Sequence, residues 1–152
     1  MPRLWRLARP EHAPGLDGEG ARRFGGRWNS PGSPVVYCSV SLAMALFEIW
    51  VHLNPDQRRA GSLPDFVKIG IDLPSDILIE RHDATPEELS HPARTRAFGD
   101  AWLATARTAV LSVPSAIIPE EVNLLLNPRH PEFARVAVAL QAPFRFDDRL
   151  AV

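Results

Sequence analysis

Three side chains of contrasting chemistry sit on consecutive elements near the start of the chain: Arg27, Tyr37 and Glu48. A guanidinium can clamp a phosphate or carboxylate through two parallel hydrogen bonds. An aromatic ring can stack on a flat ligand, and a carboxylate can face a centre where positive charge develops. Glu48 is the only acid in an otherwise apolar run, LAMALFEIWVHL. An unpaired buried carboxylate is costly, so it must meet a cation, a hydrogen-bond donor or a solvated pocket. Two readings weigh equally on the residues alone. One is a core salt bridge from Glu48 to Arg27 or Arg6; the other is a catalytic carboxylate.

The elements that would position these groups follow from local pattern. Leu4 to Leu7 alternates at the end of a first strand, Met1 to Ala8, from which Arg6 projects as either an edge arginine or an anion contact. Pro10 to Gly20 has the composition of a loop. Gly25-Gly26 permits backbone angles closed to other residues, and Ser30-Pro31-Gly32-Ser33-Pro34 is turn chemistry. Val35 to Cys38 reads as a short strand. Ser39 or Ser41 can cap the following helix, Leu42 to Leu53, which is apolar nearly all round and is expected to be buried. Ser41, Ala45, Glu48 and His52 form one stripe along it, and His52 reads as a packed histidine.

Further on, Phe66 to Leu73 alternates as a strand and Ile77 to Glu80 as a shorter one. Thr85-Pro86-Glu87-Glu88 is a helix start with a cap, a first-turn proline and an acid at the third position. A longer helix spans about Arg94 to Thr108, anchored by Phe98, Trp102 and Leu103. Gly99 inside it lowers helix propensity and implies close packing at that point. Ala109 to Val113 and Ala134 to Leu140 complete the strands. Ser115 reads either as a turn serine bonded to local backbone or as a donor aimed into a site. Asn123 either pins a loop or contacts a ligand. Strands and helices mix without a regular βαβ beat, so the expected class is α+β.

Composition excludes several functions. The chain has 152 residues, enough for one domain, and a net charge of −1, which leaves no basic footprint for DNA or RNA. Lys68 is the only lysine, against sixteen arginines. Cys38 is the only cysteine, so neither a disulfide framework nor a cysteine metal site is available. Neither a phosphate-binding loop nor a dinucleotide fingerprint is spelled by the glycines, and no Gly-x-Ser-x-Gly surrounds Ser115. No signal peptide or membrane-length apolar run is evident, so a cytoplasmic protein is expected. The absence of a convincing acid–base set of histidine and lysine argues against a nuclease.

Three motifs in fixed order, GGRWNSPGSPVVY, SLAMALFEIWVHL and SVPSAI followed by EVNLLLNPRHPEF, resemble the RES-domain family, named for an arginine, a glutamate and a serine. The matching residues are Arg27, Glu48 and Ser115, and the resemblance runs from Leu4 to about Phe146. It implies one RES domain over residues 1–152, with a split, mainly antiparallel β core and surrounding helices similar to ADP-ribosyltransferase toxins. It implies a toxin of a bacterial type II toxin–antitoxin pair. The partner would be an Xre-like helix-turn-helix antitoxin that covers the active site in a hetero-oligomer, with no direct nucleic-acid or membrane contact by this chain.

The activity implied is NAD degradation by hydrolysis or phosphorolysis. Transfer of ADP-ribose to a protein is the alternative, and a non-catalytic binding module the reading from another class. NAD would be a substrate, with no cofactor and no metal required. In that setting Glu48 suits the oxocarbenium-like state of nicotinamide–ribose cleavage. Arg27 and Arg6 suit the diphosphate, and Tyr37 suits stacking on nicotinamide. Ser115 and Asn123 suit hydrogen bonds that position the ribose or the ring.

Overall fold

The computed structural model describes residues 3–152, so Met1 and Pro2 of the expected first strand lie outside the described residues. Seven strands build one mixed sheet: β1 (Leu4–Ala8), β2 (Val36–Ser39), β3 (Phe66–Asp72), β4 (Ile79–Arg81), β5 (Val110–Pro114), β6 (Val122–Leu126) and β7 (Ala137–Phe144). Their order is β4-β5-β6-β2-β1-β3-β7. Only β4 and β5 run parallel; every other neighbouring pair is antiparallel.

The sheet is nearly divided in the middle. β1 and β2 share one register pair, Trp5 with Ser39, whereas β1–β3 share five and β2–β6 four. Arg6 bridges the divergence, donating from Nη1 to the Tyr37 carbonyl at 3.2 Å. This is the split core expected from the resemblance. It also makes β1 an interior strand, so Arg6 is not an edge arginine.

Helices α1 (Glu19–Phe24), α2 (Leu42–Trp50), α3 (Pro86–Leu89) and α4 (Pro92–Thr105) surround the sheet. One sheet face buries Leu4, Val36, Ile69, Val110 and Leu126 with their neighbours. The other face carries two separate clusters. α2 packs with Leu7, Phe66 and Phe146 over one half, while Trp28 and Trp102 of α4 pack with Leu111 and Leu125 over the other. The seam between these clusters is where polar side chains gather.

Several expected boundaries move. The residues around Glu19 form α1 rather than loop, with Gly25 at φ 72° as its C-cap. Ser41 caps α2 by accepting from the Met44 N–H at 3.1 Å, but the helix ends at Trp50 instead of Leu53. Nor is α2 buried all round: Phe47 and Val51 are exposed, and only Met44 and Ala45 are fully enclosed. A helix on a sheet buries one face, and the apolar residues beyond that face stay in solvent. β7 begins at Ala137 because Pro131–Arg135 turns as a 3-10 helix. The Thr85 cap is as read, accepting from the Glu88 N–H at 3.1 Å. No helix of the described residues is long and apolar enough to cross a membrane.

Candidate active site

Glu48 projects from α2 into the seam, where two segments distant in sequence meet its Oε1. Ser115, immediately after β5, donates from Oγ at 2.9 Å, and Asn123, the second residue of β6, donates from Nδ2 at 2.8 Å. Asn123 is itself oriented by Ser39 of β2, whose hydroxyl donates to Asn123 Oδ1 at 3.0 Å. The register explains the convergence. Ser39 and Val113 both pair with Asn123, so 39, 113, 115 and 123 share one face of the sheet.

No ion pair among the described residues includes Glu48. The core salt bridge to Arg27 or Arg6 is therefore not formed. Uncharged donors satisfy Oε1, and Oε2 takes no hydrogen bond from the described residues. Hydrogen bonds to an ionised carboxylate are short and strong, so Oε1 is anchored and Oε2 is available.

Ser115 is completely buried. Its oxygen also accepts the Ile117 and Ile118 N–H groups at 3.1 and 3.2 Å. Both readings of Ser115 are thus partly met: it bonds local backbone and it donates into the site. Its hydroxyl is fully engaged and unexposed in this structure, so the contact it makes into the site is with Glu48. Ser115→Ala removes one donor from Glu48 and orphans two N–H groups. The expected loss is about 1–3 kcal/mol of stability by urea denaturation, and an unchanged midpoint would show that the enclosure is not as described.

Tyr37 lies two residues before Ser39 on the same face of β2. Its hydroxyl donates to Asn29 Oδ1 at 2.6 Å and accepts the Trp28 N–H at 3.1 Å. Burial chiefly raises its phenol above the ordinary tyrosine value, so it stays neutral. Gly26 makes this possible, because a Cβ there would stand 2.7 Å from the Tyr37 oxygen. The hydroxyl is a structural pin on the Gly25–Asn29 loop, and the half-buried ring remains beside the seam.

Arg27 is exposed and donates from Nη1 to the Leu89 carbonyl at 2.8 Å. Its charge acts on the Tyr37 phenol, whereas Arg6 holds the Tyr37 carbonyl, so the two arginines stand at opposite ends of one residue. Arg6 alternates with Trp5 and Leu7 and leaves β1 on the face away from α2. Its Nε is buried without a hydrogen-bond partner. Burial draws its pKa below the ordinary arginine value. A cleft of about 700 Å³ opens beside it, lined among others by Arg6, His12, Arg23, Phe24, Ile49 and His52. This volume falls within the usual range for small-molecule sites. Glu48 is not in its lining, but the residue after it and the residue one turn on are. His52 is exposed in that cleft rather than packed.

Ser39 is the site residue that sequence reasoning misses, since local pattern presents it only as a helix cap. Strand parity with Tyr37 is the available signal. Cys38 lies buried on the other face, and desolvation pushes its thiol up to about 12, which removes it as a nucleophile. Among the described residues, no group of three histidine, cysteine or acidic side chains stands close enough to hold a metal ion.

Fold and site together define a compact α+β domain organised about a carboxylate at the division of a mixed sheet. Comparison with known proteins names the family: the RES domain model matches residues 3–147, and the chain belongs to the RES-domain family. It is 38% identical to the Prs ADP-ribosylating toxin of Sphingobium sp., over 97% of this chain and 95% of that protein. It is 34% identical to Toxin Res of Photorhabdus laumondii subsp. laumondii, over 97% and 96% respectively. Its fold matches a chain of the M. tuberculosis MbcT–MbcA toxin–antitoxin complex with a TM-score of 0.75 at 21% identity, covering 98% of this chain and 86% of that one.

Proposed function

We propose that this protein is the toxin of a type II toxin–antitoxin pair and that it cleaves the nicotinamide–ribose bond of NAD. The observation that carries the reading is Glu48: a carboxylate anchored through one oxygen by neutral donors, with the other oxygen free and no cation beside it. A core ion pair would have explained this residue as structure, and that explanation has lost its partner. Cleavage breaks the bond from ribose C1′ to the nicotinamide nitrogen. Nicotinamide leaves with the electron pair, and positive charge spreads over C1′ and the ring oxygen. A fixed negative oxygen facing that charge stabilises it without reorganising.

In this reading Arg6 and Arg27 contact the diphosphate, the Tyr37 ring stacks on nicotinamide, and Asn123 helps to form the wall behind the ribose. Ser115 and Ser39 hold Glu48 and Asn123 in place. NAD is consumed, so it is the substrate, and no further cofactor enters the scheme. The reaction belongs in the cytoplasm, where the NAD pool is.

The new bond at C1′ forms to an oxygen of water or of inorganic phosphate. A second reading, transfer of ADP-ribose to a protein side chain, is favoured by the printed name of the Sphingobium relative. Incubating the purified protein with NAD alone, with phosphate, and with bacterial protein separates them. Free ADP-ribose, its phosphorylated product or a modified protein are the respective products. NAD untouched under all three conditions would refute the proposal.

The partner proposed is an Xre-like helix-turn-helix antitoxin seated over the cleft. Phe24, a lining residue that is 82% exposed, and the exposed Phe47 on α2 offer apolar contacts for it. Adding purified antitoxin to an active preparation is expected to abolish turnover. Undiminished turnover would exclude blocking of the cleft.

A further inference from the structure

The loop that bears Arg27 does not stand by itself; it rides on α4. Thr95, completely buried, donates from Oγ1 to the Arg27 carbonyl at 2.5 Å. Asp100 accepts from the Ser30 N–H at 2.8 Å and from the Ser30 hydroxyl at 2.6 Å. Between them Gly99 leaves room for the Trp28 carbonyl: a Cβ at that position would lie 1.6 Å from the oxygen. Thr95 and Gly99 stand one turn apart on the same side of the helix, and Asp100 flanks them.

The three contacts grip the backbone of Arg27, Trp28 and Ser30 in turn. The opposite side of the same loop is held by the Tyr37 hydroxyl, through the Trp28 N–H and the Asn29 side chain. Trp28 and Asn29 are buried, and Arg27 alone of these neighbours is exposed. Its Nη1 donates to the Leu89 carbonyl, while Nε and Nη2 donate to no acceptor among the described residues. The arrangement therefore fixes where one guanidinium stands and leaves two of its nitrogens open.

This placement costs helix stability. A glycine in a helix interior is less favourable than alanine. A buried threonine hydroxyl must also find a partner, and this one lies 2.5 Å from the Arg27 carbonyl of the loop and 3.1 Å from the Pro92 carbonyl of its own helix, the loop carbonyl being the nearer acceptor. Local sacrifice of this kind marks positions where geometry matters more than stability.

We propose that Thr95, Gly99 and Asp100 of α4 are positioning residues that set the Arg27 guanidinium for contact with the NAD diphosphate. The inference rests on the role of Arg27 given above. A Cβ at Gly99 would force the loop to withdraw, and a displacement of about 1 Å can cost roughly a hundredfold in rate.

The test uses steady-state NAD turnover by the intact protein, with folding of each variant checked by circular dichroism. Thr95→Val keeps the shape and deletes the donor, and is expected to lower kcat/KM by roughly ten- to a hundredfold. Thr95→Ser keeps the hydroxyl and is expected to retain activity within about threefold. Gly99→Ala is expected to lose at least as much as Thr95→Val; if it does not fold, the Thr95 pair still decides. In an Arg27→Ala background, Thr95→Val is expected to cost nothing further, because the group it positions is gone. A folded Thr95→Val with native kcat/KM would overturn the proposal, as would losses that multiply in the double variant. Native turnover by Arg27→Ala alone would overturn the role of Arg27 and the seat with it. Inert native protein would instead overturn the NAD reading itself.

Discussion

Glu48→Gln folds as the native protein does and cleaves NAD at least about a thousandfold more slowly; this is the expected result of the most informative single substitution. The replacement amide keeps the shape of the side chain and presents a carbonyl oxygen where Oε1 of Glu48 now accepts from Ser115 and Asn123. Both hydrogen bonds therefore persist, and the fold loses nothing it depends on. What disappears is the negative charge, together with the free oxygen that carries it. A structural carboxylate would behave in the opposite way. Had Glu48 been half of a core ion pair, the same substitution would strand the other charge and lower stability by several kcal/mol, roughly 3–5. Thermal denaturation and NAD consumption, measured on the same preparation, distinguish these outcomes.

Arg6→Met should separate stability from activity in the other sense. Arg6 is a cation drawn into the protein with one hydrogen bond, to the Tyr37 carbonyl, and a buried Nε that meets no acceptor. Burial lowers its pKa, which is the signature of a desolvated charge. No ion pair among the described residues includes it. Methionine loses the hydrogen bond but relieves the desolvation. Stability should then stay within about 1 kcal/mol of native by urea denaturation. The anion contact is lost outright, so KM for NAD should rise by roughly a hundredfold. A large drop in stability with an unchanged KM would make Arg6 a brace for the split sheet and nothing more.

How far the site is legible beforehand depends on the range of the interaction. Local chemistry reads well. The Ser41 cap and the Thr85-Pro86-Glu88 helix start are both present. The close packing implied by Gly99 is there too, against the Trp28 carbonyl. Short or unpatterned elements read poorly. EGARRF has no apolar period to announce α1, and the proline that opens 131–135 hides the true start of β7.

The contacts of Glu48 are out of reach for a different reason. They join residues 67 and 75 positions apart, and no spacing rule covers such distances. Physical reading leaves Glu48 balanced between salt bridge and catalyst. Resemblance to the RES family tilts the balance, and the observed partners, both neutral, remove one side of it. Arg6 shows the converse. Strand phase cannot say whether it faces water, and the divergence of β1 from β2 makes it a buried cation beside a cleft.

The region from Gly25 to Glu48 thus gains a division of labour. Gly26, Asn29 and the Tyr37 hydroxyl lock the loop, α4 supports it from below, and Ser39 belongs to the network around the acid. In the proposed reading, direct contact with NAD falls to Glu48 Oε2, the open nitrogens of Arg27 and the part of the Arg6 guanidinium that lines the cleft.

Proton NMR of NAD incubated with the antitoxin-free protein tests the central claim most directly, because free nicotinamide and NAD give separate aromatic signals. The account predicts that native protein releases nicotinamide in step with NAD loss, and that Glu48→Gln at equal folded concentration releases essentially none. Equal release by the two proteins, or none by the native protein, would contradict it.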